Sequence, residues 1–427
     1  MTPAEALAAL RPLPAPGHEE RRALLAMLRQ SLLARAADAA AAADADFGGR
    51  SEVDTLLADV LLVADAARHS RARLTRWARP RRQPVPYPFW PARAAIEPQP
   101  KGVIGIMAPW NYPIQLALMP VVDAIAAGNR VVVKPSEYAP RCAALIRDVL
   151  ATLGDAARCV TGDAAVAADF AAQPWDHLVF TGSTDTGRKV MAAAAANLTP
   201  LTLELGGKCP ALVLPGADLA RAAQAILTAK AINAGQTCVA PDTVWLIGHS
   251  IADFIAAARA TGITGGETAV MQPARLERLR AGASIVDGWL ATAPNDHPLH
   301  QEEIFGPLLA LREATLDQAM AAAGTPLAIY LFGATQAEEA LVAAGTRSGA
   351  LVCDRALDYA AFHALAFGGV GQSGFGRRNG EAGFLEFSNL RARVRHGRFS
   401  LARMFDAPRT ARALAMARRL VGLTADR

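Results

Sequence analysis

At 427 residues, with 52% apolar and 19% charged side chains, the chain is rich enough in apolar surface to exclude a disordered polypeptide, and at roughly 150 residues per domain it implies two or three domains. The net charge of +5 is uneven: twelve arginines face four carboxylates from Arg377 to Arg427, and eight arginines with no carboxylate lie between Arg68 and Arg93. Only five basic residues are lysine, so the arginine excess is a habit of composition. No helix-turn-helix, zinc-ligand or aromatic RNA-binding signature accompanies it, and nucleic acid is not an expected partner.

The first 33 residues scatter Glu5, Glu19 and Glu20 and lack a basic segment leading into an apolar core, which argues against a secretory signal. Residues 3–46 and 54–76 set alanine, leucine and arginine at helical spacing and predict two leading helices. From Pro80 to Pro100 the prolines forbid helix, and an extended excursion or edge hairpin is expected. Beyond Gly102, short β-branched runs alternate with helix-length segments. The runs are Val103–Met107, Arg130–Val133, His177–Phe180, Leu201–Leu203, Ala211–Leu214, Thr243–Ile247, Ala328–Phe332 and Leu351–Cys353. The helical segments are Pro113–Ala127, Pro140–Leu153, Thr186–Ala196 and Ala217–Asn233. This alternation predicts an α/β architecture of parallel sheets covered by helices. The five cysteines, Cys142, Cys159, Cys209, Cys238 and Cys353, form no CxxC pair and leave one over, so a reduced, cytoplasmic protein without a metal site is expected.

Six motifs follow one another: Pro109-Trp110-Asn111-Tyr112-Pro113, Lys134-Pro135-Ser136-Glu137, Phe180-Thr181-Gly182-Ser183-Thr184, Leu203-Glu204-Leu205-Gly206-Gly207-Lys208, Gly235-Gln236-Thr237-Cys238 and Glu302-Glu303-Ile304-Phe305-Gly306-Pro307. In this order they resemble the aldehyde dehydrogenase superfamily from about Leu56 to Ser388, and, through the stretches Asn-Ala-Gly-Gln-Thr-Cys-Val-Ala-Pro-Asp (233–242) and Phe-Gly-Gly-Val-Gly-Gln-Ser-Gly-Phe-Gly (367–376), most closely its class 3 and coniferyl-type branch. The resemblance implies a Rossmann-type cofactor domain over 1–205, with the 80–100 excursion as part of a small β bridging region. It implies an α/β catalytic domain over 206–388, and a bridging strand with a basic helix over 389–427. It also implies a homodimer paired through the bridging region.

Only a thiolate attacks a carbonyl well. Cys238 follows small, flexible residues suited to a turn, where it is either an exposed nucleophile or a buried small hydrophobe; the resemblance makes it the nucleophile. Cys209 lies just past the Glu204 motif, close to the same site. Attack creates an oxyanion that needs fixed donors. Asn111, on a loop stiffened by Pro109 and Pro113, is the candidate, the alternative being a turn asparagine bonded to its own backbone. A thioester left on the cysteine must then be hydrolysed by a base. Glu204, between Leu203 and Leu205, is costly in an apolar strand unless paired or raised toward neutrality, and the resemblance makes it that base. It also argues against relatives that pass the acyl group to coenzyme A.

Gly182, Ser183 and Gly187 follow a strand and open a helix whose N–H groups would face a pyrophosphate, although a bare strand-to-helix turn looks similar. By resemblance Lys134 and Glu137 reach the adenosine ribose, Glu303 and Phe305 surround the nicotinamide ribose, and Trp110 lies near the adenine half. Taken alone, Phe305 could be core and Glu303 a solvated carboxylate. Glu137 favours NAD, with NADP possible in this branch. The expected reaction is oxidation of an aldehyde, aromatic or medium-chain, to its acid; the alternative is a catalytically impaired relative acting as a binding or scaffold protein. Two departures stand out. The 256–300 segment is shortened, its usual strand replaced by 293–298, which would open the substrate tunnel or remove a sheet edge. Residues 409–421 set arginine among leucine, methionine and valine, and read as a soluble helix, the alternative being a weak peripheral membrane contact.

Overall fold

The computed structural model describes residues 1–424; the final 425–427, the polar end of the tail and of the 389–427 span, lie outside the described residues. The two leading helices are cut into shorter pieces. Pro12, Pro14 and Pro16 offer no N–H to a helix and separate Pro3–Leu10 from His18–Ala34, and Arg35, out of helical conformation at φ -110°, separates that helix from Ala36–Phe47. The second starts with a π-helical stretch, Thr55–Leu61, before Leu62–Trp77.

Three sheets follow. In the proline-dense excursion β1 (Arg81–Gln83) pairs antiparallel with β2 (Arg93–Pro100), which runs on into β3 (Val103–Met107). β3 joins β4 (Arg130–Lys134), β5 (Ala157–Cys159), β6 (His177–Gly182) and β7 (Leu201–Leu205) in parallel. These strands are buried on both faces, which is why they read as unbroken Val/Ile/Leu runs. The helix Pro113–Ala127 starts on proline, ends at Gly128 (φ 92°) and is buried along almost its whole length.

The second sheet is built from β8 (Cys209–Val213), β9 (Pro241–Leu246), β10 (Ser284–Val286), β11 (Leu290–Thr292), β12 (Leu309–Glu313), β13 (Ala328–Phe332) and β14 (Ala350–Cys353), in the order β10-β11-β12-β9-β8-β13-β14. The shortened 256–300 segment does not remove the sheet edge. β11 pairs parallel with β12, and β10 pairs antiparallel with β11 outside it. The alternation of Leu290, Ala291 and Thr292 is too short to be read as a strand without the neighbour that pairs it.

The span 206–388 does not stay with the second sheet. β15 (Gly374–Phe375) lies antiparallel against β7, completing the first sheet in the order β15-β7-β6-β3-β4-β5, and Phe384 and Phe387 at its far end sit in the core beneath Pro113–Ala127. β16 (Ser388–Arg395) then pairs along the whole of β2, closing a three-stranded sheet β1-β2-β16. The basic tail forms the helix Ala411–Thr424. No helix among the described residues is long and apolar enough to cross a membrane.

Candidate active site

In the first sheet the registers Met107↔Lys134, Met107↔Phe180 and Gly182↔Leu205 bring the carboxyl ends of four strands to one edge. Ligands of open parallel sheets bind at that edge. The loops leaving it carry Asn111, Glu137, Ser183 and Gly206, which is why motifs far apart in sequence converge.

Cys238 sits in the wall between two cavities. One, of about 120 Å³, is lined by Trp110, Asn111, Gly182, Ser183, Glu204, Glu303 and Phe305 together with Cys238. The other, of about 340 Å³, is mostly apolar, with Leu57, Leu62, Leu116, Val239, Leu357 and Phe367 around Tyr112, Arg378 and the same cysteine. Leu57 comes from the π-helical stretch, a type of distortion that concentrates at functional sites.

The cysteine loop is held in an unusual backbone. Asn233, Ala234 and Gly235 have φ of 50°, 50° and 69°, and a left-handed conformation at alanine costs about 1 to 2 kcal/mol. Hydrogen bonds offset that cost: Asn233 N–H donates to Asp54 at 2.9 Å, and its amide donates to the Asn111 carbonyl at 2.9 Å and the Gln236 carbonyl at 3.2 Å. The Gln236 side chain ties the loop to the Ala269 carbonyl and the Met271 N–H.

Asn111 is buried, and its Nδ2 donates to the Gln236 carbonyl at 3.0 Å. A primary amide has two N–H groups, so that bond fixes the side chain against the cysteine loop and uses one of them. The loop is fixed from behind by a buried pair that sequence reasoning missed. Arg50 contacts Asp59 at 2.7 Å and donates to the Asn111 carbonyl at 2.8 Å, while Asp59 accepts the N–H groups of Ile114 and Gln115.

Glu204 is buried and faces Arg378, Oε1 to Nε at 3.2 Å. Burial raises its pKa above the ordinary carboxylate value, and Arg378 opposes the rise. Cys238 does not stand at a helix N-terminus. It lies in a turn, and burial, then Glu303 and Glu204, push its thiol up to about 12, with only Arg378 and its own N–H opposing. A thiol so placed is protonated and needs a base to take its proton. Glu303, raised by burial to about 7, is one carboxylate in reach of neutrality. Cys209 is buried behind the site, its thiol donating to the Cys238 carbonyl at 3.4 Å.

Lys208, at the end of the Glu204 motif, is paired with Asp242 and donates to the carbonyls of Leu299 and Glu302, both at 2.8 Å, while Asp242 accepts the Ile304 N–H at 2.7 Å. These bonds hold the loop that presents Glu303 and Phe305. Trp110 packs edge-on to Phe305, centroids 5.5 Å apart. It therefore stands with the group expected at the nicotinamide ribose and not with Lys134 and Glu137, which pair with each other at 2.6 Å elsewhere along the edge. Ser183 caps the helix Thr184–Ala195 by accepting the Thr186 N–H. Gly187 is a packing glycine, since a Cβ there would fall 2.6 Å from Leu205.

The chain matches the aldehyde dehydrogenase family model over residues 3–262 and 250–392. It is 37% identical to a probable coniferyl aldehyde dehydrogenase of Pseudomonas aeruginosa, covering 92% of this chain and 90% of that one. A coniferyl aldehyde dehydrogenase of a Pseudomonas species is 38% identical, with 82% and 81% covered. The chain belongs to the aldehyde dehydrogenase family. Among solved structures, the substrate-bound state of Staphylococcus aureus AldH superposes with a TM-score of 0.90 at 26% identity, covering 98% of each chain. As an aldehyde dehydrogenase the protein oxidises aldehydes with NAD or NADP, and the scaffold alternative is not favoured.

The residues present fit a dinucleotide. Glu303 Oε1 is buried without a partner, a Cβ at Gly206 would meet the other Glu303 oxygen at 2.1 Å, and a capped helix start opens beside them. No cluster of metal-ligating side chains occurs among the described residues.

Proposed function

We propose that Cys238 is the nucleophile, Asn111 an oxyanion donor and Glu204 the base of hydrolysis in the NAD-dependent oxidation of an aromatic or medium-chain aldehyde to its acid. The observation that carries this reading is the position of Cys238 in the wall shared by a polar and an apolar cavity. The apolar cavity suits the body of the aldehyde and places its carbonyl at the sulfur. The thiol proton leaves to a neighbouring carboxylate as the C–S bond forms, and the free N–H of Asn111 donates to the new oxyanion. The chemistry a bound nicotinamide dinucleotide supplies is acceptance of a hydride, which turns the adduct on Cys238 into a thioester. Glu204 then takes a proton from water as its oxygen attacks the thioester carbon, and the acid leaves with the thiol restored.

Trp110, Glu303 and Phe305 would hold the nicotinamide half, and Gly182 and Ser183 at the helix start the pyrophosphate, with Gly187 packing that helix. Lys134 and Glu137 would hold the adenosine ribose, and the Glu137 carboxylate favours its free hydroxyls over a 2′-phosphate. The names of the coniferyl aldehyde dehydrogenases support an aromatic substrate. We further propose a homodimer paired through the β1-β2-β16 sheet and a cytoplasmic setting, which five free thiols favour. A panel of aromatic, aliphatic and terpenoid aldehydes tests the substrate class by NADH formation. Coniferyl or benzyl-type aldehydes should give the highest kcat/KM, and a preference for short aliphatic aldehydes would contradict it.

A further inference from the structure

We propose that Arg378 is a positioning residue for hydrolysis: it keeps the Glu204 carboxylate ionised inside the wall between the two cavities, and so fixes how far into acid the thioester on Cys238 can still be cleaved. The proposal rests on Glu204 serving as the base, as set out above.

The geometry points to this pairing and away from a general structural salt bridge. Glu204 lines the polar cavity and Arg378 the apolar one, so their 3.2 Å contact crosses the wall beside Cys238. Their side chains are 2% and 3% exposed, so neither charge is screened by bulk water. Arg378 is gripped from behind. Its backbone exchanges two hydrogen bonds with Phe367, at 3.0 and 2.7 Å, and its guanidinium lies 5.3 Å over the Phe367 ring. The next N–H, of Asn379, donates to buried Asp123 at 3.0 Å. The strand pairing Gly374↔Glu204 brings the two residues together, and β15 lies flush there because Gly374 has no Cβ: one would meet the Leu203 carbonyl at 1.9 Å.

By contrast, the contact itself is loose. Glu204 Oε1 and Arg378 Nε are both buried without an aligned hydrogen bond. The pair is therefore held by charge, and the carboxylate can turn toward water at the acyl group without dismantling a network. Arg377 acts on it with Arg378 and Glu386 against them, and Cys238, Glu303 and Arg275 line the same cavity. Glu386 accepts from Thr202 at 2.8 Å, and His177 and Lys101 adjoin that contact; Asp123 faces Arg378.

The sign follows directly. A base works as its anion; burial disfavours the anion, and the guanidinium favours it. Removing the guanidinium leaves burial opposed only by the weaker action of Arg377, so ionisation moves to higher pH and hydrolysis is lost from the acid side first.

The test isolates hydrolysis from hydride transfer by acetylating the cysteine directly with p-nitrophenyl acetate. Decay of the acetyl-enzyme is followed by quenched-flow intact mass between pH 5 and 9 in the parent, Arg378→Gln, Arg378→Lys and Glu204→Gln proteins. The acid limb of the decay should move to higher pH by about one unit or more in Arg378→Gln. It should move part-way in Arg378→Lys, whose charge sits on a shorter stem, and the parental plateau should be reached at high pH. If Arg378→Gln does not fold, the part-way shift in Arg378→Lys carries the test. An unmoved limb, or decay slow at every pH, would overturn the role of Arg378. Failure of the underlying reading looks different: Glu204→Gln would then decay like the parent throughout.

Discussion

The two cavities that meet at Cys238 are built in opposite ways. The polar one is assembled from short loops at the carboxyl ends of parallel strands, and each loop brings one or two residues whose chemistry is evident from their type. The apolar one is assembled from a π-helical stretch near the start of the chain, the helix Leu219–Ala231, and the 355–379 region, with no residue that announces itself. Chemistry needs particular atoms at particular places, whereas an apolar wall needs only volume and shape. The first should fail sharply when one atom is changed, and the second gradually.

The largest effect should come from Cys238, which lines both cavities. Cys238→Ala should lower turnover on the order of 10⁴-fold or more. Iodoacetamide adducts mapped by peptide mass should show activity vanishing with Cys238; activity surviving its full labelling would break the assignment.

Next is the support beneath the polar cavity. Asp59→Ala strands Arg50 as an unpaired buried charge, which typically costs about 3 to 5 kcal/mol. Denaturant unfolding should register the loss in stability, and the Asn111 loop should be loosened with it. An unchanged unfolding midpoint would show that the pair carries no such load.

Asn111→Ala should lower kcat by about 10² to 10³ while NAD affinity stays within a small factor of the parent. If Asn111 only secures its turn, the loss appears instead in melting temperature, and the folded fraction keeps near-parental kcat.

The smallest effect belongs to the apolar side. Leu62→Trp should raise KM for an aromatic aldehyde by roughly tenfold, as one misfit in a hydrophobic pocket does, and leave KM for NAD unchanged. A rise in both would mean the cavities are not separate.

The same contrast explains what could be read without a structure. The strands Val103–Met107 and Ala328–Phe332 and the helix Pro113–Ala127 fall where apolar runs and a starting proline place them. Glu204 stood out because a carboxylate in an apolar strand demands a reason. Arg378 did not, because one arginine among the twelve of its region shows nothing until β15 folds back against β7. Arg50 and Asp59 were hidden likewise, since only the packed helices reveal that they meet without water. The left-handed run at Asn233–Gly235 carried one legible glycine, but an alanine there contradicts its own preference and is tolerated only through bonds to Asp54 and Asn111. Trp110 was displaced from its expected partners because ring packing against Phe305 is a tertiary fact.

The covalent account stands or falls on separating acylation from hydrolysis. Rapid mixing of Glu204→Gln with NAD and benzaldehyde should give a burst of NADH approaching one per active site, with an acyl group on the peptide containing Cys238 and steady turnover reduced about 10² to 10⁴-fold. A variant that loses the burst, or carries its acyl group on another cysteine, would contradict the division of labour between Cys238 and Glu204.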